Sequence, residues 1–118
     1  MSSIEAKQAA RVLGERGEQA AQRWYSEQGY DIAATNWTCR EGELDVVATK
    51  GSLVVFCEVK SRVHERFASA AEAVDWRKQQ KIRTAALHWL RSQPGRYYIR
   101  FDVAVVISGR VQVIEDAF

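Results

Sequence analysis

The chain has 118 residues, of which 47% are hydrophobic and 27% charged, and this composition predicts one ordinary soluble globular domain. Its 17 basic and 15 acidic residues leave a net charge of +2, which gives no sign of a strong, non-specific nucleic-acid binder. No apolar run approaches the roughly 18 residues that a membrane span needs, which excludes a transmembrane helix.

Cysteine and histidine are too sparse and too scattered to indicate a zinc site. Cys39 and Cys57 form no CxxC pair, and His64 and His88 lie far apart in sequence. The first seven residues lack the apolar stretch of a secretory signal. We therefore expect a cytoplasmic protein with free thiols and no membrane contact.

The predicted elements follow the order α-β-β-β-α-β-β. Ser2 with Glu5 three residues later is typical of a capping box, and Gly29 suits the residue after a helix that runs to about Gln28. Strands are predicted at 30–37, 43–49 and 53–61, a second helix at 68–91, and two further strands at 98–107 and 111–115. This order predicts an α/β domain whose central mixed sheet is flanked by helices.

Both predicted helices carry an apolar stripe that should face the sheet. The first stripe is Ala10, Leu13, Gly17, Ala20, Ala21 and Trp24, and the second is Ala71, Val74, Ile82, Ala85, Ala86 and Trp89. Gly14 and Gly17 each cost about 1 kcal/mol relative to alanine inside a helix. Their presence predicts close approach of another backbone or a ligand, or else a helix break at Arg16.

A hairpin is predicted where two apolar runs flank Gly51 and Ser52. Glycine accepts a positive φ at the first loop position, which suits a type II′ turn. This turn places Asp45 directly opposite Glu58, whereas a loop one residue earlier would place Glu43 there. In either register one face carries four charges, and only a bulge or an odd-length loop would separate them. The four charged residues are Glu43, Asp45, Glu58 and Lys60.

Opposed carboxylates on neighbouring strands need a physical reason, because like charges directly opposite one another destabilise a sheet. A divalent cation between Asp45 and Glu58 would supply one, since Mg²⁺ binds one or two carboxylates together with waters and substrate phosphate. Without the metal, the two acids should raise each other's pKa, and Lys60 should partly offset the rise. The alternative is a solvated face on which Lys60 pairs with Glu58 or Glu43.

Several short motifs are spread along the chain. They are Gly17-Glu18, Gly29-Tyr30, Asn36, Gly42-Glu43-Leu44-Asp45, Glu58-Val59-Lys60, Arg62, Ala73-Val74 with Lys78, and Arg100-Phe101-Asp102-Val103. In order and separation they resemble the small bacterial YraN-like family over about residues 12 to 107. The resemblance implies the PD-(D/E)xK restriction-endonuclease-like fold, with the αβββαβ core also found in archaeal Holliday-junction resolvases. It also implies a Mg²⁺-dependent nuclease site that would accept Mn²⁺ as a substitute.

The resemblance implies a role for each matching residue of that site. Asp45 and Glu58 would hold the metal, with the carbonyl of Val59 as a third ligand. Lys60 would orient the attacking water or stabilise charge on the phosphate. Glu18 would be the extra acid that resolvase-type relatives place on their first helix.

The same resemblance extends to the residues around the acids. Lys78 on the second helix would meet the phosphate, and Glu43 would reach the metal through water or form a salt bridge with Arg62. The residues expected to contact nucleic acid are Arg62, Arg77, Lys78 and Lys81. Relatives commonly carry a glycine before the second helix, whereas this chain reads Val63-His64-Glu65-Arg66-Phe67-Ala68, which changes the loop beside the site.

Other conspicuous side chains are expected to be structural for the most part. Trp24 and Trp89 lie on apolar stripes and should be core, whereas Trp37 and Trp76 are candidates for stacking on bases. Asp102 is expected to anchor its strand to an arginine. Cys57 should point into the core, on the face opposite Glu58, and is not expected to be a nucleophile.

Three functions remain open from the sequence. The leading hypothesis is a metal-dependent endonuclease acting on DNA, including branched or damaged DNA. The second is a nucleic-acid-binding module that keeps the nuclease fold without cleaving, and the third is a structural partner protein whose acidic face is ordinary surface. A resolvase-like enzyme would act as a homodimer, because it cuts two symmetric strands.

Overall fold

The computed structural model describes residues 2–64, 66, 72 and 74–118. Its elements are α1 (Ser3–Glu27), β1 (Asp31–Cys39), β2 (Gly42–Lys50), β3 (Leu53–Arg62), α2 (Trp76–Arg91), β4 (Tyr98–Ile107) and β5 (Arg110–Ile114). The predicted order of elements is confirmed, and every strand end lies within two residues of its expected position. Among the described residues, no helix combines the length and the apolar character needed to cross a membrane.

The five strands form one sheet in the order β1-β2-β3-β4-β5. All neighbouring strands are antiparallel except β3 and β4, which run parallel. A parallel pair needs a long crossover, and here α2 lies between the two strands in sequence. The predicted mixed sheet and the αβββαβ core, followed by one additional strand, are therefore the observed fold.

The core has two layers, one on each face of the sheet. The α2 layer packs Ile82 and Trp89 of α2 against strand residues such as Phe56. The α1 layer packs Ala21 and Tyr25 of α1 against the opposite face. Tyr25 is fully buried although it lies outside the predicted stripe, whereas Ala10, which belongs to that stripe, is exposed.

Helix α1 begins and packs largely as its sequence predicts. The capping box is present, with the Ser2 side chain accepting from the Glu5 backbone and the Glu5 side chain accepting in return. The helix continues without a break at Arg16. A Cβ atom added at Gly17 would lie 1.7 Å from Oγ of Ser61 on β3, so this glycine allows the helix to approach the sheet closely.

The predicted second helix is interrupted before Trp76. Val74 and Asp75 are not helical, and Asp75 has an extended backbone with φ −74° and ψ 174°. Its side chain accepts a 2.9 Å hydrogen bond from the backbone N–H of Lys78, as an N-cap residue does. Within the expected stretch from Ala68 to Asp75, Glu72 is helical as predicted, whereas Val74 and Asp75 are not, and residues 68–71 and 73 lie outside the described part of the chain.

A buried polar network joins the two ends of the chain. Asp102 is fully buried and accepts hydrogen bonds from the hydroxyl of Tyr25 at 2.7 Å and from the backbone N–H of Asp116 at 3.0 Å. Arg100 donates two more, from Nε at 2.8 Å and from Nη2 at 2.9 Å. The expected anchoring of Asp102 to an arginine is therefore observed.

Candidate functional site

The candidate site lies where β2 and β3 separate. Their pairing runs from Lys50 with Leu53 to Val46 with Cys57, which confirms the predicted hairpin register. Gly51 has φ +58°, as the first position of the turn requires. Beyond Val46, strand β2 continues to pair with β1, while β3 continues with β4 as far as Arg62. We call the gap between residues 42–45 and residues 58–62 the fork.

Asp45 occupies the root of the fork. Its Oδ2 accepts a 2.9 Å hydrogen bond from the backbone N–H of Val59, a group that would otherwise donate to the next residue of β2. The N–H and C=O of one strand residue point to the same side. The carbonyl of Val59 therefore also points into the fork, which is the orientation that a third metal ligand would need.

Glu58 is the buried acid of the fork, with only 5% of its surface exposed. Its Oε1 lies 3.5 Å from Nζ of Lys78 and 3.8 Å from Nζ of Lys60. Burial, followed by the neighbouring charge of Asp45, raises the pKa of Glu58 to about 7, and the two lysines oppose this rise. The expected effects of the opposed acid and of Lys60 on Glu58 are thus both present.

Glu18 approaches the fork from α1. Its side chain is half-buried. Burial raises the pKa of Glu18, the nearby side-chain amide of Asn36 lowers it, and the nearby charges of Asp45 and Glu43 raise it. Glu18 also lines a cleft of about 270 Å³ between α1 and β3, together with Lys60.

The four charges of the hairpin do not share one face, which corrects the sequence-based expectation. Leu44 and Val47 both pack in the α2 layer, whereas Val46 packs in the α1 layer. Alternation is therefore interrupted next to Asp45, as only an irregular strand allows. Glu58 lies beside Lys78 of α2, and Glu43 is exposed and close enough to Glu18 to raise its pKa.

The basic residues of α2 form a continuous flank beside the fork. Successive helix residues are about 100° apart, so Lys81 adjoins both Lys78 and Arg77 on the helix surface. Arg77 and Lys81 are exposed, and Lys78 reaches Glu58. Arg62 lies at the far end of β3 and lines the cleft beside Glu18. Lys78 and Arg62 therefore border the fork or the cleft beside it, Lys81 lies against Gly42 at the edge of the fork, and Arg77 adjoins Lys81 on the helix.

The acids of the fork suit Mg²⁺ or Mn²⁺ better than they suit a metal ion whose ligands all come from protein side chains. Within the described residues, no three histidine, cysteine, aspartate or glutamate side chains are arranged to hold a metal ion. Two carboxylates, Asp45 and Glu58, do lie close together there, since the charge of Asp45 raises the pKa of Glu58, and the backbone N–H of Val59 donates to Asp45. Mg²⁺ usually takes one or two carboxylates and completes its shell with waters and phosphate oxygens. The donor set therefore fits such an ion.

Sequence reasoning noted Asn36 only as part of the family motifs, and it did not predict its proximity to Glu18 or the hydrogen bond from the Val59 N–H to Asp45. Asn36 has φ +48° within β1 and lies between Thr35, which pairs with Val46, and Trp37. Asparagine is depleted in strands and tolerates the left-handed conformation better than most residues. That unusual residue type in a strand was the available signal.

The remaining candidate residues are placed as follows. Trp37 is half-buried against the α2 layer, and Trp76 is 70% exposed at the start of α2. Trp89 is buried, as predicted, and Trp24 packs on the α1 layer. Cys57 is buried, and burial raises the pKa of its thiol, which agrees with a core residue rather than a nucleophile.

The fold and the acidic fork define a single-domain α/β protein with a restriction-endonuclease-like αβββαβ core. The chain belongs to the family described as "Uncharacterised protein family UPF0102", whose sequence profile matches residues 17–106. This is the YraN-like family that the motifs resemble, so that expectation is confirmed.

Relatives from distant bacteria match nearly the whole chain. A UPF0102 protein of Frankia casuarinae is 47% identical over 113 residues, covering 91% of this chain and 96% of the relative. One from Rhodococcus jostii is 41% identical over 114 residues, with coverages of 91% and 96%. One from Alkaliphilus metalliredigens is 37% identical over 113 residues, with coverages of 92% and 99%.

Proposed function

We propose that this protein is a Mg²⁺-dependent endonuclease that hydrolyses phosphodiester bonds in DNA, including branched or damaged DNA. One observation carries the proposal: Glu58 is buried beside a second acid, Asp45, and its pKa is raised to about 7. A buried carboxylate pair of this kind is costly unless a cation compensates it. Two lysines near Glu58 compensate only in part, since its pKa remains raised.

Each residue of the fork has a defined part in this proposal. Asp45 and Glu58 would hold the metal, with the Val59 carbonyl as a further ligand and Glu18 as the outer acid. A bound Mg²⁺ would lower the pKa of a coordinated water and neutralise charge on the phosphate. Lys60 is half-buried at the fork and stabilises the charge that develops on the phosphoryl oxygens.

The basic flank gives the substrate a direction of approach. Lys78 lies at the boundary between the fork and the surface, and Arg77 and Lys81 continue from it along α2. A phosphate backbone laid along this flank would bring a phosphodiester to the fork. Arg62, on the other side, would contact the same backbone. A homodimer would allow two symmetric strands to be cut, and the two free cysteines suit a reducing cytoplasm.

A binding module without cleavage is the second candidate. It is favoured by the small acid count, because no three potential ligands cluster among the residues that the structure describes. In that case the basic flank would grip nucleic acid and a cation would only neutralise the fork. Both candidates have the same fold and bind nucleic acid along the basic flank of α2. They differ in whether the residues of the fork hydrolyse a phosphodiester bond.

The proposal is tested by a cleavage assay with the wild type and matched variants. Single-stranded, duplex, flap and four-way-junction DNA are incubated with Mg²⁺, Mn²⁺ or EDTA. Asp45→Asn keeps an oxygen that accepts from Val59 while removing the charge, so it should stay folded and lose cleavage by about 100-fold or more. Lys60→Ala should lose cleavage similarly, whereas Glu27→Gln, an exposed acid near the end of α1, should cleave normally.

Each outcome of this assay assigns the protein to one class. Metal-dependent cleavage that disappears in Asp45→Asn supports the endonuclease and ranks its substrates. Equal cleavage by the wild type and Asp45→Asn would point to a contaminating nuclease and overturn the assignment of the fork. Binding of these DNAs by a folded wild type, with no cleavage under any metal condition, would favour the binding module.

A further inference from the structure

We infer that Trp76 is a stacking site for an unpaired base, so that the substrate class is DNA with a single-stranded segment. This inference rests on the proposed function, whose DNA-binding surface it extends. Trp76 is the first residue of α2, and 70% of its surface is exposed. The other three tryptophans of the chain are buried or half-buried. A tryptophan this exposed contributes little to the core, so a binding role accounts for it better than packing does.

The first turn of α2 joins Trp76 to the fork. Successive helix residues are about 100° apart around the axis, so Arg77 lies between Trp76 and Lys78 on the helix surface. Nζ of Lys78 in turn lies 3.5 Å from Oε1 of Glu58, which belongs to the fork. A strand wrapped around this turn would meet an aromatic ring, then a guanidinium and then an ammonium group, and would thereby reach the acids.

Capping contacts fix the backbone of this turn. Asp75 accepts a 2.9 Å hydrogen bond on its side chain from the Lys78 N–H and another of 2.9 Å on its carbonyl from the Gln79 N–H. The side chain of Gln79 also donates to the carbonyl of Val74 at 3.1 Å. These three contacts do not use the indole of Trp76, so replacing it should leave the start of α2 in place.

The charge of α2 favours nucleic acid as the partner. The helix carries five basic residues and no acidic one, whereas the whole chain has 17 basic and 15 acidic residues. The remainder of the chain is therefore more acidic than basic. Single-strand binding combines positive charge that follows the phosphates with aromatic rings that stack on bases, and this helix offers both. Its basic residues are Arg77, Lys78, Lys81, Arg83 and Arg91.

Base pairing decides whether the ring of Trp76 can be used. In a duplex both faces of each base are covered by its neighbours, so an indole can stack only on a base that has left the helix. An unpaired base offers its face without that cost, whichever base it is. The site should therefore bind single-stranded and flap DNA better than a blunt duplex, with little sequence preference.

The test measures binding of the whole protein to DNA in EDTA, without metal. Labelled oligothymidine and a labelled blunt duplex are titrated separately, and fluorescence anisotropy gives the affinity. Trp76→Ala should bind oligothymidine about 10-fold more weakly, because the stacking of one base is lost, and should bind the duplex as the wild type does. Trp76→Phe keeps an aromatic face and should retain most of the affinity. Unlabelled oligothymidine should quench the tryptophan fluorescence of the wild type more than that of either variant.

Tyr98→Ala is the matched control. Tyr98 is 78% exposed and pairs with Leu53 beside the hairpin turn, at the end of β3 that is remote from the fork. This variant should bind both DNAs as the wild type does. Urea unfolding shows whether each variant is folded. If Trp76→Ala does not fold, Trp76→Gln carries the same comparison, since it also lacks the ring.

The outcomes distinguish this inference from the proposed function. Wild-type affinity of Trp76→Ala for oligothymidine would overturn the stacking site and leave the proposed cleavage unaffected. Equal weakening for oligothymidine and duplex would also overturn it, because Trp76 would then not discriminate unpaired bases. Trp76-dependent binding of oligothymidine by a protein that cleaves no DNA would support the stacking site and overturn only the nuclease. A folded wild type that binds neither DNA would overturn the stacking site and favour a protein partner for Trp76.

Discussion

Glu58 combines burial with an acidic neighbour, and this combination makes the stability of the metal-free protein depend on pH. Its pKa rises from an ordinary 4.5 to about 7 on folding, chiefly because of burial and then because of Asp45. A carboxyl group whose pKa is raised on folding contributes stability that is complete below its unfolded pKa. That contribution is lost as the pH rises through the folded pKa, so Glu58 destabilises the ionised, metal-free protein.

We expect the free energy of unfolding in EDTA to fall between pH 4.5 and pH 8, by about 3 kcal/mol from Glu58 alone. Glu58→Gln should remove most of this dependence of stability on pH. The dependence that remains should come from Glu18, whose pKa is also raised. Mg²⁺ should raise the melting temperature more at pH 8 than at pH 5, because both acids bind it when ionised. Urea unfolding across this pH range provides the measurement.

Glu27→Gln serves as the matched control for this pH experiment, because Glu27 is an exposed carboxylate outside the fork. In this variant the free energy of unfolding should fall with pH as steeply as it does in the wild type. A wild type whose stability rises from pH 5 to pH 8 in EDTA would contradict the environment described for Glu58.

The sequence predicted which residues meet at the fork better than it predicted how they meet. Asp45, Glu58 and Lys60 were expected together because hairpin register places them close in space, and Lys78 was expected from the family motifs. A regular pair of strands was expected at Asp45, and a bulge was considered only as the exception that would separate the four charges. Local irregularities of this kind depend on the neighbouring strand, here on the left-handed Asn36, and no single-strand pattern contains that information.

At the scale of elements, α1 contains two glycines at which substitution by alanine should have opposite effects on stability. A Cβ at Gly14 would meet no atom within 4 Å, whereas one at Gly17 would overlap Ser61. Gly14→Ala should therefore raise the free energy of unfolding by up to about 1 kcal/mol, through helix propensity alone. Gly17→Ala should lower it by about 1–3 kcal/mol, because α1 must move away from the sheet.

Thermal or urea unfolding of the two alanine variants makes a matched comparison, since residue type and helix are the same. Equal effects at the two positions would contradict the close contact between α1 and β3. Gly17→Ala should also weaken Mn²⁺ binding, because displacement of the helix carries Glu18 away from the fork, whereas Gly14→Ala should not.

Helix α2 provides the surface on which DNA binding should depend on salt. Each phosphate contact contributes about 0.9 to the slope of log affinity against log salt concentration. Removing Arg77 and Lys81 together should lower that slope by about 2 for four-way-junction DNA in EDTA, measured by fluorescence anisotropy. Removing the exposed Arg23 and Arg96 together, which are not part of the basic flank, should leave the slope unchanged. If both double variants lowered the slope equally, the DNA would be attracted non-specifically to the protein's positive charge instead of binding along α2.

The start of α2 shows why helix boundaries are harder to predict than strands. Val74 fits the inward-facing stripe and is buried, so its apolar spacing suggested a helix that had already begun. The capping side chain of Asp75 overrides that spacing, because its bond to the Lys78 N–H starts the helix afresh at Trp76. This cap also sets the position of Lys78, and through it the contact with Glu58.

For the whole molecule, the hydrogen-bond network around Asp102 connects α1, β4 and the C-terminal segment. Three residues donate four hydrogen bonds to Asp102, two of them from Arg100, and the two oxygens of a carboxylate can accept all four. Asp102→Asn would turn one of those oxygens into a donor facing other donors. It should lower the free energy of unfolding by about 3–5 kcal/mol, as removal of one member of a buried ion pair does.

Urea unfolding checks this prediction against Glu115→Gln. Glu115 is exposed and lies 3.7 Å from the same guanidinium of Arg100, so its removal should cost less than about 1 kcal/mol. A small effect of Asp102→Asn would mean that the network does not hold the two ends of the chain together.

The connections of the sheet also set the order in which the protein should fold. Strands β1, β2 and β3 are joined by two-residue turns, whereas β3 finds β4 only after the chain has passed through α2. Neighbours close in sequence meet sooner than distant ones. We therefore expect the three-stranded meander, which contains Asp45 and Val59, to form before β4 closes the sheet. On this expectation, the two acids of the fork come together before Asp102 is buried.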